Sequence, residues 1–313
     1  MLNNELVTIA IPTYNRSNYV KQSITSALSQ TYTNIEVIVS DNCSEDTTPD
    51  TISSFSDKRL RSYRQEKNLG MVGNWNFCLN QAKGFYFILL SDDDLLEPTA
   101  IEKMVSGYCS KQHVAFVWAN FIYIDSYGNQ IRKSYKAPLH ETGESFIQNS
   151  LSRKRDTIPS AILHRTGDAK RLGGYRELGT ASDLVFRLYL ALEGDVICIN
   201  QRLVYYRQHT EALSMNTEAV LASFNAIIEG LNGDLLLLRP YNTFFNFFII
   251  RYLYSMALQN KIVASNYRTA FNTVIDNMQL SLLDNFKAKL ILLLVSLKPV
   301  VKLAKFRRYI QEN

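Results

Sequence analysis

The tetrad Ser91-Asp92-Asp93-Asp94 follows directly on the apolar run Tyr86-Phe-Ile-Leu-Leu90. Adjacent carboxylates repel one another, so such a cluster is easiest to sustain where a cation sits among them. The hard-oxygen set suits Mg²⁺ or Mn²⁺ held jointly by carboxylate and a substrate phosphate. A solvated acidic turn capping the next helix, with Asp94 near its start and Pro98 in its first turn, is the plainer alternative. Two other apolar runs end in the same manner. Val7-Thr-Ile-Ala-Ile11 leads into Pro12-Thr-Tyr-Asn-Arg16, and Ile35-Glu-Val-Ile-Val39 leads into Ser40-Asp-Asn-Cys-Ser-Glu-Asp46. There Asp41 has the chemistry to accept a base ring N–H, Tyr14 to lie against a base or ribose, and Arg16 to meet a phosphate. An ordinary turn at Asp41-Asn42 and a simple strand end at Tyr14-Asn15 compete with those roles.

For these segments to act together, the runs before them must be parallel strands of one sheet. The order of elements predicts this. Between residues 7 and about 125, short β-branched runs alternate with helical patterns, including Val20, Ile24, Ala27 and Leu28, then Val72, Trp75, Leu79 and Ala82. A weaker strand is expected at Leu60 to Arg64, and a fifth apolar run, Val114 to Tyr123, ends in the turn signal Asp125-Ser-Tyr-Gly-Asn129. After residue 140 the alternation fades, leaving a helix at Ser182 to Leu192 and a strand-like Val196 to Tyr206. Beyond about 215 the pattern is helical. The fold class is therefore α/β, a mostly parallel sheet flanked by helices, with domain boundaries at 1–215 and 216–313. Ligands of open α/β sheets bind at the carboxyl ends of the strands, which is where the polar segments fall.

Several function classes lose their support. Asn68-Leu-Gly-Met-Val-Gly73 lacks the first glycine of a dinucleotide fingerprint, and neither a P-loop nor a nucleophile-elbow pattern occurs. Four scattered cysteines without a C-x-x-C pair, and no recognisable leader at the start, suit reduced thiols and a cytoplasmic location. No run reaches the roughly 18 uninterrupted apolar residues of a membrane span. Trp75 and Trp118 have the chemistry to stack against an acceptor, but core packing is the favoured reading for both.

The ordered strings Val7 to Arg16, Val37-Ile-Val-Ser-Asp-Asn42, Asn68-Leu-Gly70 with Asn76, and Ala82-Lys-Gly84 before Leu90-Ser-Asp-Asp-Asp94 resemble the signature of family 2 glycosyltransferases. The resemblance spans roughly residues 5 to 210. It implies the GT-A (Rossmann-like) fold and a donor nucleotide site at Pro12, Thr13, Tyr14, Arg16, Asp41, Asn68, Gly70 and Asp92. It makes Asp93 the leading ligand for Mn²⁺ or Mg²⁺, supported by Asp94 and His209. Ser91 departs from the family pattern, standing where an Asp is frequent. Gly173-Gly-Tyr-Arg-Glu177 and Ala181-Ser-Asp183 resemble the family's Gly-Gly stretch and later acidic pair, implying that Asp183 is the catalytic base. Ser182 replaces the Glu of that pair. Arg207-Gln-His209 resembles a segment whose His approaches the metal or diphosphate. An N-cap role for Ser182 or Asp183 and a structural role for His209 are the alternatives.

The implied reaction is inverting transfer from a nucleoside-diphosphate sugar, UDP-linked by expectation, to a hydroxyl of a surface glycan or a lipid-linked precursor. A sugar-nucleotide-binding protein without turnover and a metal-dependent nucleotidyltransferase are the other classes. The net charge of +5 first suggests nucleic acid, but its placement argues otherwise. Residues 286–313 carry seven Lys and Arg against Glu312, a local charge of +6 that leaves the rest at −1. Lys287, Lys298, Lys302 and Lys305 share one helical face, so the stretch 286–310 is expected to be an interfacial helix on an anionic membrane surface, a helix packed on the domain, or a subunit contact in a homo-oligomer.

Overall fold

The computed structural model describes residues 4–134, 137–155, 157–209 and 217–258. The chain divides into two compact units, Met1–Met215 and Asn216–Asn313. In the first, ten strands among the described residues form one sheet: β1 (Val7–Thr13), β2 (Ile35–Asp41), β3 (Leu60–Arg64), β4 (Tyr86–Leu89), β5 (Leu95–Leu96), β6 (Val114–Ile124), β7 (Gln130–Lys133), β8 (His140–Glu141), β9 (Ile162–Arg165) and β10 (Asp195–Arg207). The strand order is β3-β2-β1-β4-β9-β6-β10-β5, with β7 on β6 and β8 on β10. Strands β3, β2, β1 and β4 are parallel, as are β6 and β10. β9 joins the two halves by pairing antiparallel with β4 and β6. Two reversals restore the direction, so the carboxyl ends of β1, β2, β4 and β10 share one edge.

Covered faces explain why the strands were readable. All of β2 and β4 and nearly all of β1 are buried, which calls for continuous apolar runs rather than alternation. Helix α1 (Ser17–Leu28) presents Val20, Ile24 and Ala27 to this core, at the spacing of one helical face. The other helices of the unit are α2 (Thr48–Ser53), α3 (Gly70–Gln81), α4 (Ala100–Tyr108), α5 (Gly143–Leu151), α6 (Thr166–Arg171) and α7 (Ser182–Ala191). Trp118 is 1% exposed, and its indole packs in the core.

A polar knot fastens the edge opposite the carboxyl ends. Glu36 of β2 accepts from Thr8 Oγ1 at 2.6 Å, Lys83 N at 2.7 Å and Arg61 Nη2 at 2.7 Å. Gly84 belongs here because a Cβ would stand 2.5 Å from Thr8 N. Burial opposes the charged form of Glu36, but the hydrogen bonds from Thr8, Lys83 and Arg61 outweigh it and hold the carboxyl below its usual range. Glu36→Gln sets an amide donor against this ring of donors and is expected to cost about 2 kcal/mol in chemical denaturation. Because the folded pKa lies below the unfolded one, Glu36 contributes fully at neutral pH. That contribution fades as the pH falls through the folded value. The deficit of Glu36→Gln is therefore largest at neutral pH and shrinks in acid.

In the second unit, α8 (Thr217–Asn232) is followed by a short helical turn at Leu236–Tyr241 and by α9 (Asn242–Leu258). Val220, Phe224, Ile227 and Leu231 of α8 are buried, as are Phe245, Ile249 and Ile250 of α9. No single described helix is long and apolar enough to cross a membrane. The basic stretch 286–310 lies outside the described residues.

Candidate active site

A cleft of about 510 Å³ opens at the carboxyl edge of the sheet. Of the residues expected at the site, Pro12, Thr13, Tyr14, Arg16, Asn68, Gly70, Asp92, Asp93 and Asp183 line it. The pairing explains this convergence: β1 and β4 deliver residues 12–16 and 91–93, and the crossover through α7 returns Asp183 to the same edge. A second hollow of about 570 Å³, between α4 and β10, carries none of the strand-edge carboxylates.

The three aspartates separate by direction. Asp93 Oδ2 lies 2.9 Å from His209 Nε2, and its side chain is 18% exposed. Asp92 also faces the cleft. Burial, followed by the charge of Asp93, pushes the Asp92 carboxyl up to about 7, against the pull of Thr13, Arg16 and the Tyr14 amide. Asp94, expected among the metal ligands, turns inward instead. Its Oδ1 accepts from Arg207 N at 2.9 Å and its Oδ2 from Ser160 Oγ at 2.5 Å, and it is fully buried. Burial and the Asp93 charge push its carboxyl well above the ordinary range. The cause is the backbone: β5 returns immediately to pair with β10, which pulls residue 94 beneath the loop.

Arg207 ties that loop to its surroundings. The guanidinium donates to Asp93 O at 2.8 Å, Asp125 O at 3.3 Å, Ser126 O at 3.1 Å and Gln22 Oε1 at 2.9 Å. It stands 4.9 Å from the Tyr19 ring, on which His209 also stacks at 5.3 Å. Tyr19 gave no signal in the sequence, because it sits among the surface positions of α1.

Asp183 lies in the first turn of α7, where a negative charge meets the helix dipole favourably. It is not the cap; Ala181 occupies that position without a side-chain bond. Arg187 Nη1, one turn along, donates to Asp183 Oδ2 at 2.5 Å. Ser182 is buried and bonds Gly179 O and Leu178 N, so it braces the preceding turn.

The remaining wall is built by side-chain amides. Asn42 Nδ2 donates to Asn68 Oδ1 and Gly70 O, and its Oδ1 accepts from Leu69 N. That stapled turn holds Gly70 at φ +75, a conformation that favours glycine. Asn76 pairs with Tyr175 through both N and O, and a Cβ at Gly174 would stand 2.5 Å from Asn76 Oδ1. Asp41 lies beside the cleft rather than on its wall: Oδ1 accepts from Ser44 N, while Oδ2 is buried without a hydrogen-bond partner among the described residues. Trp75, expected in the core, instead lines the cleft beside Tyr175.

The model of the family described as Glycosyl transferase family 2 matches residues 8–169, more than half of the chain, and includes the strand ends at 12–16 and 91–94. The chain belongs to glycosyl transferase family 2. Among curated proteins, an uncharacterized glycosyltransferase of Rickettsia typhi is 42% identical over 101 residues, covering 32% of this chain and 31% of that protein. The Escherichia coli UDP-Glc:alpha-D-GlcNAc-diphosphoundecaprenol beta-1,3-glucosyltransferase WfgD is 31% identical over 148 residues, covering 47% of this chain and 57% of WfgD. The matches thus span about a third to just over half of those relatives. Among solved structures, residues 1–349 of Staphylococcus aureus TarS with UDP-GlcNAc superpose with a TM-score of 0.68 at 18% identity, covering 87% of this chain and 81% of that one. A mannosyltransferase from Pyrobaculum calidifontis, with GDP-Man and Mn²⁺, gives 0.55 at 16% identity, covering 98% and 83%. These likenesses establish the GT-A fold for this family 2 chain.

Proposed function

We propose that this protein transfers a sugar, with inversion, from a UDP-sugar to a hydroxyl of a lipid-linked or surface glycan. The observation that carries the reading is a single cleft lined by both Asp93 and Asp183 at the carboxyl edge of the sheet. The acceptor hydroxyl gives its proton to Asp183 as its oxygen attacks the anomeric carbon; the bond to the diphosphate breaks and its electron pair leaves with the phosphate. Arg187 holds the carboxylate in place. The UDP donor is supported by the TarS complex, and the lipid-linked acceptor by the printed specificity of WfgD.

The residues fit a divalent cation. Asp93 offers one hard oxygen to the cleft, and His209 one imidazole nitrogen 2.9 Å from it. No group of three His, Cys, Asp or Glu able to hold a metal occurs among the described residues. Mg²⁺ and Mn²⁺ complete their coordination with substrate phosphate and water. Bound there, the cation supplies charge neutralisation for the leaving diphosphate.

Thermal unfolding against a panel of UDP-, dTDP- and GDP-sugars, with and without Mn²⁺, tests the reading. A UDP-sugar at 100 times its Kd is expected to add about 2.7 kcal/mol, a rise of several degrees, in the presence of Mn²⁺. No stabilisation by any nucleotide sugar overturns the assignment.

A further inference from the structure

Beside Asp183, a cavity of about 10 Å³ is lined by Asp183, Arg187, His164 and Tyr175, among others. That is about the volume one water molecule requires. Two buried polar atoms on its lining residues have no hydrogen-bond partner among the described residues: His164 Nε2 and Arg187 Nε. Unpaired buried polar atoms are rare and costly, and two on residues that line one small cavity point to a shared partner.

The chemistry of each atom is fixed. His164 Nδ1 lies 3.2 Å from Arg165 O, which only accepts, so Nδ1 carries the proton. The ring is 1% exposed and packs against Phe87 and Phe186. Burial holds its pKa down to about 4, so the ring is neutral and Nε2 presents a lone pair. Arg187 spends Nη1 on Asp183, and its Nε–H is a donor. One group needs a donor and the other an acceptor. Water is both.

We propose that this cavity is a water-binding site whose water accepts from Arg187 Nε–H, donates to His164 Nε2 and turns its second proton to the Asp183 carboxylate, making His164 a positioning residue for the base. Three hydrogen bonds are the usual complement of a buried water. The arrangement fixes the carboxylate without adding a second positive charge, which would weaken it as a proton acceptor. The functional half of the proposal rests on Asp183 acting as the base; the water site does not.

The test has two parts. In a high-resolution crystal structure of the full chain, a water peak is expected within hydrogen-bond distance of both His164 Nε2 and Arg187 Nε; its absence overturns the site. In kinetics, His164→Phe, which removes the acceptor, is expected to lower kcat about 10-fold with donor Kd unchanged, the cost of a slightly misplaced base. His164→Gln keeps an acceptor oxygen and is expected to recover most of that loss. Wild-type kcat in His164→Phe, or no recovery in a folded His164→Gln, overturns the positioning role. If Asp183→Asn transfers sugar normally, the base assignment fails while the water peak is judged on its own.

Discussion

Asp183→Asn is expected to transfer sugar about 10³-fold more slowly than the wild type at saturating donor and acceptor, the range spanned by losing one well-placed general base. The substitution is close to isosteric. Asn still offers an oxygen to Arg187 Nη1, so the guanidinium keeps a partner and the first turn of α7 keeps its shape. What disappears is the capacity to accept the hydroxyl proton while the acceptor oxygen attacks. Donor affinity, read by calorimetry with a UDP-sugar, is expected to remain within about two-fold, because Asp183 makes no ground-state bond that the amide cannot replace. That split separates loss of the base from loss of the site. A variant with near-normal kcat removes Asp183 from the mechanism, whereas loss of both kcat and donor binding assigns it to donor recognition.

The parts of the fold written as uninterrupted strings were legible in the sequence. Strands β1, β2, β4 and β6 are buried on both faces, so each is one apolar run, and each polar residue after it marks the carboxyl edge. β9 escaped notice for the opposite reason. Its four residues, Ile162–Arg165, run into α6 without a turn signal, and it gains strand character only by bridging β4 and β6. His164 is carried by that strand, so nothing in the sequence places it near Asp183.

The site divides in the same way. Residues 12–16 and 91–93 are contiguous with their strands and were readable. Which of three chemically equal aspartates faces inward was not, because the partners that turn Asp94 away are Ser160 and Arg207, distant in sequence. Trp75 shows how a periodic signal misleads. Its spacing with Val72 and Leu79 marks one face of α3, but Val72 and Leu79 are buried while Trp75 lines the cleft.

Asp93→Ala is expected to abolish the Mn²⁺-dependent part of donor binding and to lower transfer by about 10²- to 10³-fold, the several kcal/mol that a cation at a leaving diphosphate contributes. The neighbouring carboxylates do not substitute for it. Asp94 is buried, with both oxygens engaged, and Asp92 is drawn toward Thr13, Arg16 and the Tyr14 amide. Asp93 is the cleft-facing carboxylate in contact with His209, so its removal leaves the imidazole as a single ligand. The fold is expected to survive, since Arg207 grips the main-chain oxygen of residue 93, which alanine retains. Treatment with EDTA gives the sharpest comparison. Wild-type protein stripped of metal and Asp93→Ala supplied with Mn²⁺ are expected to bind a UDP-sugar with the same weakened affinity, and Mn²⁺ is expected to restore only the wild type. Equal Mn²⁺ dependence in the two proteins would place the cation elsewhere and remove Asp93 from its coordination.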